Sequence, residues 1–179
     1  MKSQLKLSRY GFSLIELLVC MAVIAILSSF ALPSFQQIRA QQEFKSIQSL
    51  LQQQINSARS HALTVQQDIV ICAALDMHTC ANAQWQQGML LYIDQNQNRK
   101  LDVGETVLSY SPTQLKYGNL SWHGNATHPH QIVFQSDHGL PRGSQGSFRY
   151  CSFQYPALNH DFQLGGMGHL GTIASTQCP

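Results

Sequence analysis

The chain has 179 residues with a formal net charge of +2, and only 11% of its residues are charged. The first eleven residues hold three of its eleven lysines and arginines, so the remainder carries eight basic residues against nine acidic ones. This balance gives no support to generic attraction to polyanions as a basis for function. The length beyond the N-terminal apolar segment allows one soluble domain rather than two.

The N-terminus combines a short basic leader with a long apolar run. The residues from Phe12 to Leu32 are nearly all apolar, with a single charge at Glu16. Because about 20 helical residues span the hydrocarbon core of a bilayer, this run is long enough to cross a membrane. The cations of the leader favour a cytoplasmic N-terminus, with the rest of the chain on the other side. We therefore predict a membrane-spanning helix over residues 12–33.

The boundary between leader and run has the sequence Gly11-Phe12-Ser13-Leu14-Ile15-Glu16. It resembles the prepilin-peptidase site of type IV pilins and type II secretion pseudopilins. The resemblance implies that residues 1–11 are a cytoplasmic leader, cut off after Gly11, and that the new N-terminal residue, Phe12, is N-methylated.

A carboxylate within a membrane segment is costly, so Glu16 needs an explanation. By resemblance to pilins, Glu16 attracts the N-terminal amine of a neighbouring subunit and sets the axial register of a filament. A simpler and compatible role is an anion near the positive end of the helix dipole.

A second helical segment is predicted after Pro33. Apolar residues recur at spacings of three and four, as on one face of a helix: Phe44, Ile47, Leu51, Ile55, Ala58 and Ala62. A single helix from about Ser13 to Leu63 would be roughly 75 Å long at the standard rise, and its apolar stripe would pack on a sheet. Pro33, which stands where pilins typically carry a proline, removes one backbone hydrogen bond, so we expect a kink or local melting there.

Strand-like runs follow the helix. They are bounded by Gly, Pro and Asn and comprise residues 69–73, 88–93, 106–110, 131–134, 147–153 and 170–174. A long N-terminal helix followed by strands indicates the α+β class.

Looser motifs in the second half strengthen the resemblance. The segments Trp85-Gln86-Gln87-Gly88, Tyr92-Ile93-Asp94 and Ile132-Val133-Phe134 are similar to the GspH/FimT/FimU branch of pilin-like proteins. The resemblance implies a type IV pilin-like fold: a long kinked N-terminal helix, with a membrane half and an amphipathic half, packed on an antiparallel β-sheet domain. That domain would comprise residues 34–179, including the amphipathic helix to about residue 63.

Four of the five cysteines lie beyond the apolar run, where disulfides form after export. They allow three pairings, of which we favour Cys72–Cys80, closing a short loop, and Cys151–Cys178, tying the C-terminus to a predicted strand. A zinc site is the alternative, but no Cys-x-x-Cys spacing supports it. Cys20, inside the run, is expected to be a buried, reduced packing residue.

The segment from residue 94 to 105 has oxygen-bearing side chains at the spacing of an EF-hand calcium loop: Asp94, Asn96, Asn98, Asp102 and Glu105. Against a metal, Arg99 stands where glycine is normally required, and no helix pair flanks the loop. Asn and Asp also favour hairpin turns without any metal. We therefore predict an ordinary turn and no cofactor, with a weak calcium site as the alternative.

DNA is a further partner suggested by the resemblance, because some FimT proteins bind it through a basic Gly-Arg-x-Arg motif. The corresponding segment here is Gly166-Met167-Gly168-His169, which lacks both arginines. Lys116, Arg142 and Arg149 are scattered cations that could contact phosphates, but isolated charges usually mark a solvated face. DNA binding is therefore kept only as an alternative.

No histidine is paired at recognisable spacing with a serine or cysteine nucleophile and an acid, so we predict no enzyme. The sequence instead predicts a structural minor pilin or pseudopilin that primes or joins the tip of a type IV pilus. Its partners would be other minor pilins, the major pilin, prepilin peptidase and the inner membrane, with the C-terminal domain in the periplasm. The alternatives are a GspH-type pseudopilin of type II secretion and a FimT-like DNA receptor.

Overall fold

The computed structural model describes residues 13–126 and 129–178, apart from the side chains of residues 29–33. The chain divides into two compact units, Met1–Ile38 and Arg39–Pro179. A long helix begins in the first unit, and all of the strands lie in the second.

Helix α1 spans Leu14–Val65, within two residues of the predicted bounds. Its first turn is capped by Ser13, whose Oγ accepts a hydrogen bond from the Glu16 backbone N–H at 3.3 Å. It ends where Gln66 adopts the left-handed conformation (φ +54°). The local melting expected at Pro33 is not found, because the backbone is helical throughout these bounds; the kink stays a prediction.

Eight strands follow in the described residues: β1 Asp68–Ala73, β2 Gly88–Asp94, β3 Val107–Pro112, β4 Gly118–Gly124, β5 Gln131–Phe134, β6 Gly146–Ser152, β7 His160–Leu164 and β8 Leu170–Ala174. All pairings between them are antiparallel, in two four-stranded sheets with the orders β3-β2-β1-β5 and β4-β6-β7-β8. A 3₁₀ turn at Pro156–Leu158 joins β6 to β7. The predicted α+β class, with a helix packed on antiparallel sheet, is confirmed.

Strands β4 and β7 were absent from the predicted set. Glycine, asparagine and histidine in β4 conceal a period-two pattern in which Leu120 and Trp122 face inward. Phe162 and Leu164 do the same in β7. The only sequence signal for these two strands was the alternation of apolar and polar residues, which extends over just a few positions in each.

The apolar stripe of α1 forms one wall of the main core. Ile47, Leu51 and Ile55 are at most 3% exposed and pack in one cluster with β1 side chains such as Ile69 and with residues of both sheets. The cluster also holds three aromatic side chains in mutual contact: Trp85, Trp122 and Phe148, whose ring centroids are 4.6–6.4 Å apart. Burial of this stripe is what fixes α1 against the sheets.

A second, smaller core covers the other face of the first sheet. Val70, Leu90 and Tyr92 point away from the main core and are fully buried. Their cover includes Cys80, from the loop closed by a disulfide, and Leu101, from the loop after β2. The disulfide loop and the loop after β2 thus contribute side chains that shield this second core from solvent.

Candidate functional site

The N-terminal end of α1 presents an exposed capped turn. Glu16 lies in this first turn, three residues after the Ser13 cap, and its side chain is exposed. An anion there is favoured by the helix dipole and stays accessible to a partner of opposite charge. Gly11 and Phe12, the predicted cleavage and methylation residues, lie outside the described residues.

The first turns of α1 are apolar and uncovered. Large apolar side chains from Leu14 to Leu27 are about half to three-quarters exposed. Cys20 is a free thiol, as expected of a reduced residue, but the described residues leave it exposed rather than buried. In the described part of the chain, no helix combines the length and apolar character needed to span a membrane. The membrane segment at residues 12–33 stays a prediction.

Glu43, on α1, is the main polar link between the helix and the second sheet. Its carboxylate accepts hydrogen bonds from the backbone N–H groups of Lys116, at 2.7 Å, and Tyr117, at 3.1 Å. It also accepts one from the Tyr150 hydroxyl at 2.9 Å. Burial, together with this carboxylate, raises the pKa of Tyr150. The sequence analysis did not identify Glu43 as a link between the helix and the second sheet. The available signal was its position as an acidic residue directly beside the apolar stripe.

The structure brings together both favoured cysteine pairs. Cys72 is bonded to Cys80 with 5.7 Å between their Cα atoms, and Cys151 to Cys178 with 5.5 Å. The first bond closes the loop that covers the first sheet, and the second holds the C-terminal segment against β6. These cysteines are therefore occupied by disulfides rather than available to zinc.

The predicted calcium residues do converge in the loop after β2, but they are bonded to one another and to the backbone. The Asp94 carboxylate accepts hydrogen bonds from the Asn98 and Arg99 N–H groups at 3.1 and 2.8 Å. Asp102 Oδ2 accepts from the side-chain amides of Asn96, at 2.9 Å, and Asn98, at 2.6 Å. These hydrogen bonds connect the loop side chains into an ordered turn.

Glu105 closes the same turn by accepting hydrogen bonds from the backbone N–H groups of Gln95 and Asp102, each at 3.0 Å. Burial raises the pKa of Asp94, whereas the amides of Asn96 and Asn98 lower the pKa of Asp102. Within the described residues, no group of three or more His, Cys, Asp or Glu side chains is placed to hold a metal.

The three cations considered for DNA differ in availability. Lys116 and Arg142 are exposed, whereas the Arg149 side chain is only 14% exposed and pairs with Asp161 at 2.9 Å. Arg149 also donates a hydrogen bond to Gln177. The segment from Gly166 to His169 lies in the connection between β7 and β8.

Protein-family models match most of the chain. One described as Type II transport protein GspH matches residues 49–166, and one described as Prokaryotic N-terminal methylation motif matches residues 6–32. No curated protein gives a significant match.

Solved structures provide a second comparison. A crystal structure of the type IV minor pilin FimU from Pseudomonas aeruginosa, in space group P21, is similar with a TM-score of 0.52 and 16% identity, covering 78% of this chain and 94% of that one. Another crystal form of FimU, in space group P65, gives a TM-score of 0.49 and 16% identity over 75% and 96% of the two chains. The first likeness concerns the fold alone.

Proposed function

Because the chain belongs to the GspH family of type IV pilin-like proteins, we propose that it is a minor pilin that primes or joins the tip of a type IV pilus. The role is structural, and its partners are other pilin subunits. The observation that carries the proposal is the exposed, apolar, Ser13-capped start of α1, which coincides with the N-terminal methylation motif at residues 6–32.

The exposed apolar side chains of α1 need an apolar environment that shields them from water. Before assembly the bilayer supplies it, and in a filament the helices of neighbouring subunits do so through close packing. Prepilin peptidase removes residues 1–11 after Gly11, and Phe12 becomes the methylated N-terminus. The protein is then held in the inner membrane by a single span at residues 12–33, with residues 34–179 in the periplasm.

Counting surface pili tests the tip role. In a strain lacking this chain, electron microscopy and shearing should show few or no pili, and the intact gene should restore them. Normal pilus numbers in the deletion strain would contradict a role in pilus priming.

A type II secretion pseudopilin is the second candidate, favoured by the description of the matching family model as a type II transport protein. The same helix would then join a short periplasmic pseudopilus. In that case the deletion strain would keep its pili but lose release of exoproteins, measured in the culture supernatant.

A further inference from the structure

A cleft of about 570 Å³ lies where three segments of the second unit meet. The segments are the connection from β1 to β2, which contains the disulfide loop, the loop after β2, and the chain entering β5. Side chains that bear donors or positive charge line it: His78, Asn82, Arg99, Lys100, His130 and Gln131. All of its lining residues belong to the second unit, whereas the proposed assembly role rests on the start of α1 in the first.

No carboxylate is found among the described residues that line this cleft. Three acids on the same loops, Asp76, Asp94 and Asp102, already accept hydrogen bonds, and Asp102 accepts its bonds from the side-chain amides of Asn96 and Asn98. Asp94 accepts the Arg99 N–H, and Asp76 accepts the N–H groups of His78 and Thr79 at 2.8 and 2.9 Å. These acids thus accept hydrogen bonds within their own loops, while Arg99 and Lys100 line the cleft.

Arg99 and Lys100 supply the fixed positive charge. Neither forms an ion pair within 4 Å in the described part of the chain, although Lys100 is near enough to Asp102 to help lower the pKa of that carboxyl. Arg99 holds the left-handed conformation (φ +63°), which is uncommon for a residue other than glycine. Gln66, Ala83, Gln97 and Gln114 share it, so the conformation does not by itself mark a binding site.

We propose that this cleft binds a phosphate monoester. A monoester carries a charge of about −1.5 to −2 at neutral pH, which matches the two cations, whereas a carboxylate carries only one charge. Guanidinium and ammonium groups are both common phosphate ligands, and the volume lies within the range of small-ligand sites. The ligand is a small phosphate ester or the terminal phosphate of a polymer.

Calorimetric titration of the full-length protein in neutral detergent, at low salt, tests the proposal. Adenosine 5′-monophosphate should bind, and adenosine should not. The variant R99Q/K100Q should bind the nucleotide at least about tenfold more weakly, since it loses two charge-assisted contacts. The matched variant K116Q/R142Q removes one lysine and one arginine outside the cleft and should bind like the parent protein.

Two further measurements separate a binding effect from a folding effect. Circular dichroism compares the folds of the variants, and the single variant K100Q leaves the strained Arg99 position intact. K100Q should still bind the nucleotide several-fold more weakly than the parent protein. Absence of nucleotide binding at low salt, equal binding by adenosine, or equal loss in the two double variants would overturn the proposal.

An oligothymidylate with and without a 5′-phosphate distinguishes the sources of the ester. Binding that requires the 5′-phosphate supports a polymer terminus, and binding of the mononucleotide alone supports a small ester. Binding of both oligonucleotides without binding of the mononucleotide would replace the proposal with recognition of the phosphodiester backbone.

Discussion

At the scale of single residues, Glu43 makes the most hydrogen bonds between α1 and the part of the chain that forms the second sheet, among those of the described residues. Its carboxylate satisfies two backbone N–H groups and one hydroxyl, from residues 73 to 107 positions away in the sequence. No pattern within α1 indicates those partners. The side chain therefore acquires its role only when β4 and β6 are paired.

We predict that Glu43→Ala lowers the free energy of unfolding by about 2–3 kcal/mol, because it leaves the Lys116 and Tyr117 N–H groups without their charged acceptor. Glu43→Gln keeps one acceptor oxygen and should lose less. Urea unfolding measures both. Asp137→Ala, at an exposed acid beside His138, is the control and should change stability by under about 0.5 kcal/mol. A loss no larger than the control would contradict the role assigned to Glu43.

Arg99 illustrates a conformation that the residue type does not favour. We expect Arg99→Gly to raise the free energy of unfolding by up to about 1 kcal/mol, because glycine adopts positive φ without steric cost. Arg59→Gly, within α1, should lower it by about 1 kcal/mol, because glycine is a poor helix former. Denaturant unfolding of both variants checks the opposite signs, and a destabilised Arg99→Gly protein would show that the arginine side chain itself holds the loop.

At the scale of elements, the two disulfides stabilise different parts of the second unit. The bond between Cys72 and Cys80 fastens a loop over the outer face of the first sheet, whereas the bond between Cys151 and Cys178 fastens a terminus. Their sequence separations are 8 and 27 residues. The longer closed loop removes more conformational freedom from the unfolded chain.

We predict that replacing Cys151 and Cys178 by serine lowers the free energy of unfolding by about 3.5 kcal/mol, against about 2.5 kcal/mol for Cys72 and Cys80. Guanidinium unfolding of the two double variants measures the difference. The reverse order would mean that packing of the disulfide loop on the second core outweighs chain entropy.

The loop after β2 provides a test of the metal alternative. Because its oxygens are bonded within the turn, we expect a chelator to leave the thermal midpoint unchanged, and millimolar calcium to have no effect. Differential scanning calorimetry checks both. A calcium-dependent rise that disappears in Asp102→Asn would replace the turn by a metal site, whereas a rise that persists in that variant would indicate binding elsewhere.

At the scale of the whole molecule, a change at Glu16 should affect assembly without affecting the folding of the second unit. The carboxylate lies at the exposed start of α1, outside the core that stabilises the second unit. Its proposed role is to attract the N-terminal amine of a neighbouring subunit. That role concerns filament assembly, and the stability of the second unit does not depend on it.

We therefore expect Glu16→Ala to be processed after Gly11 as usual but to be poorly incorporated into filaments. Immunoblotting of sheared filaments and of membranes distinguishes incorporation from processing. Glu16→Gln tests whether charge is required and should behave like the alanine variant. Normal incorporation of either variant would contradict the register role.

The sequence by itself determined the features that depend on neighbours along the chain. These include the start of α1 near Ser13, the three-and-four spacing from Ile47 to Ala62, and the β-branched and aromatic runs that became six of the eight strands. Their physical basis is local: capping, side-chain periodicity and backbone preference act over a few residues. The family resemblance likewise rested on short motifs.

Only the tertiary structure decided which strands share a sheet, and hence which distant side chains and loops become neighbours. Splitting the strands between two sheets placed Tyr150 beside Glu43, although 107 positions separate them. The order β2-β1-β5 within the first sheet likewise brought the disulfide loop, the loop after β2 and the entry to β5 together around the cleft. Such contacts depend on long-range pairing, which no local pattern encodes, because each side chain's partner is set by the register of distant strands.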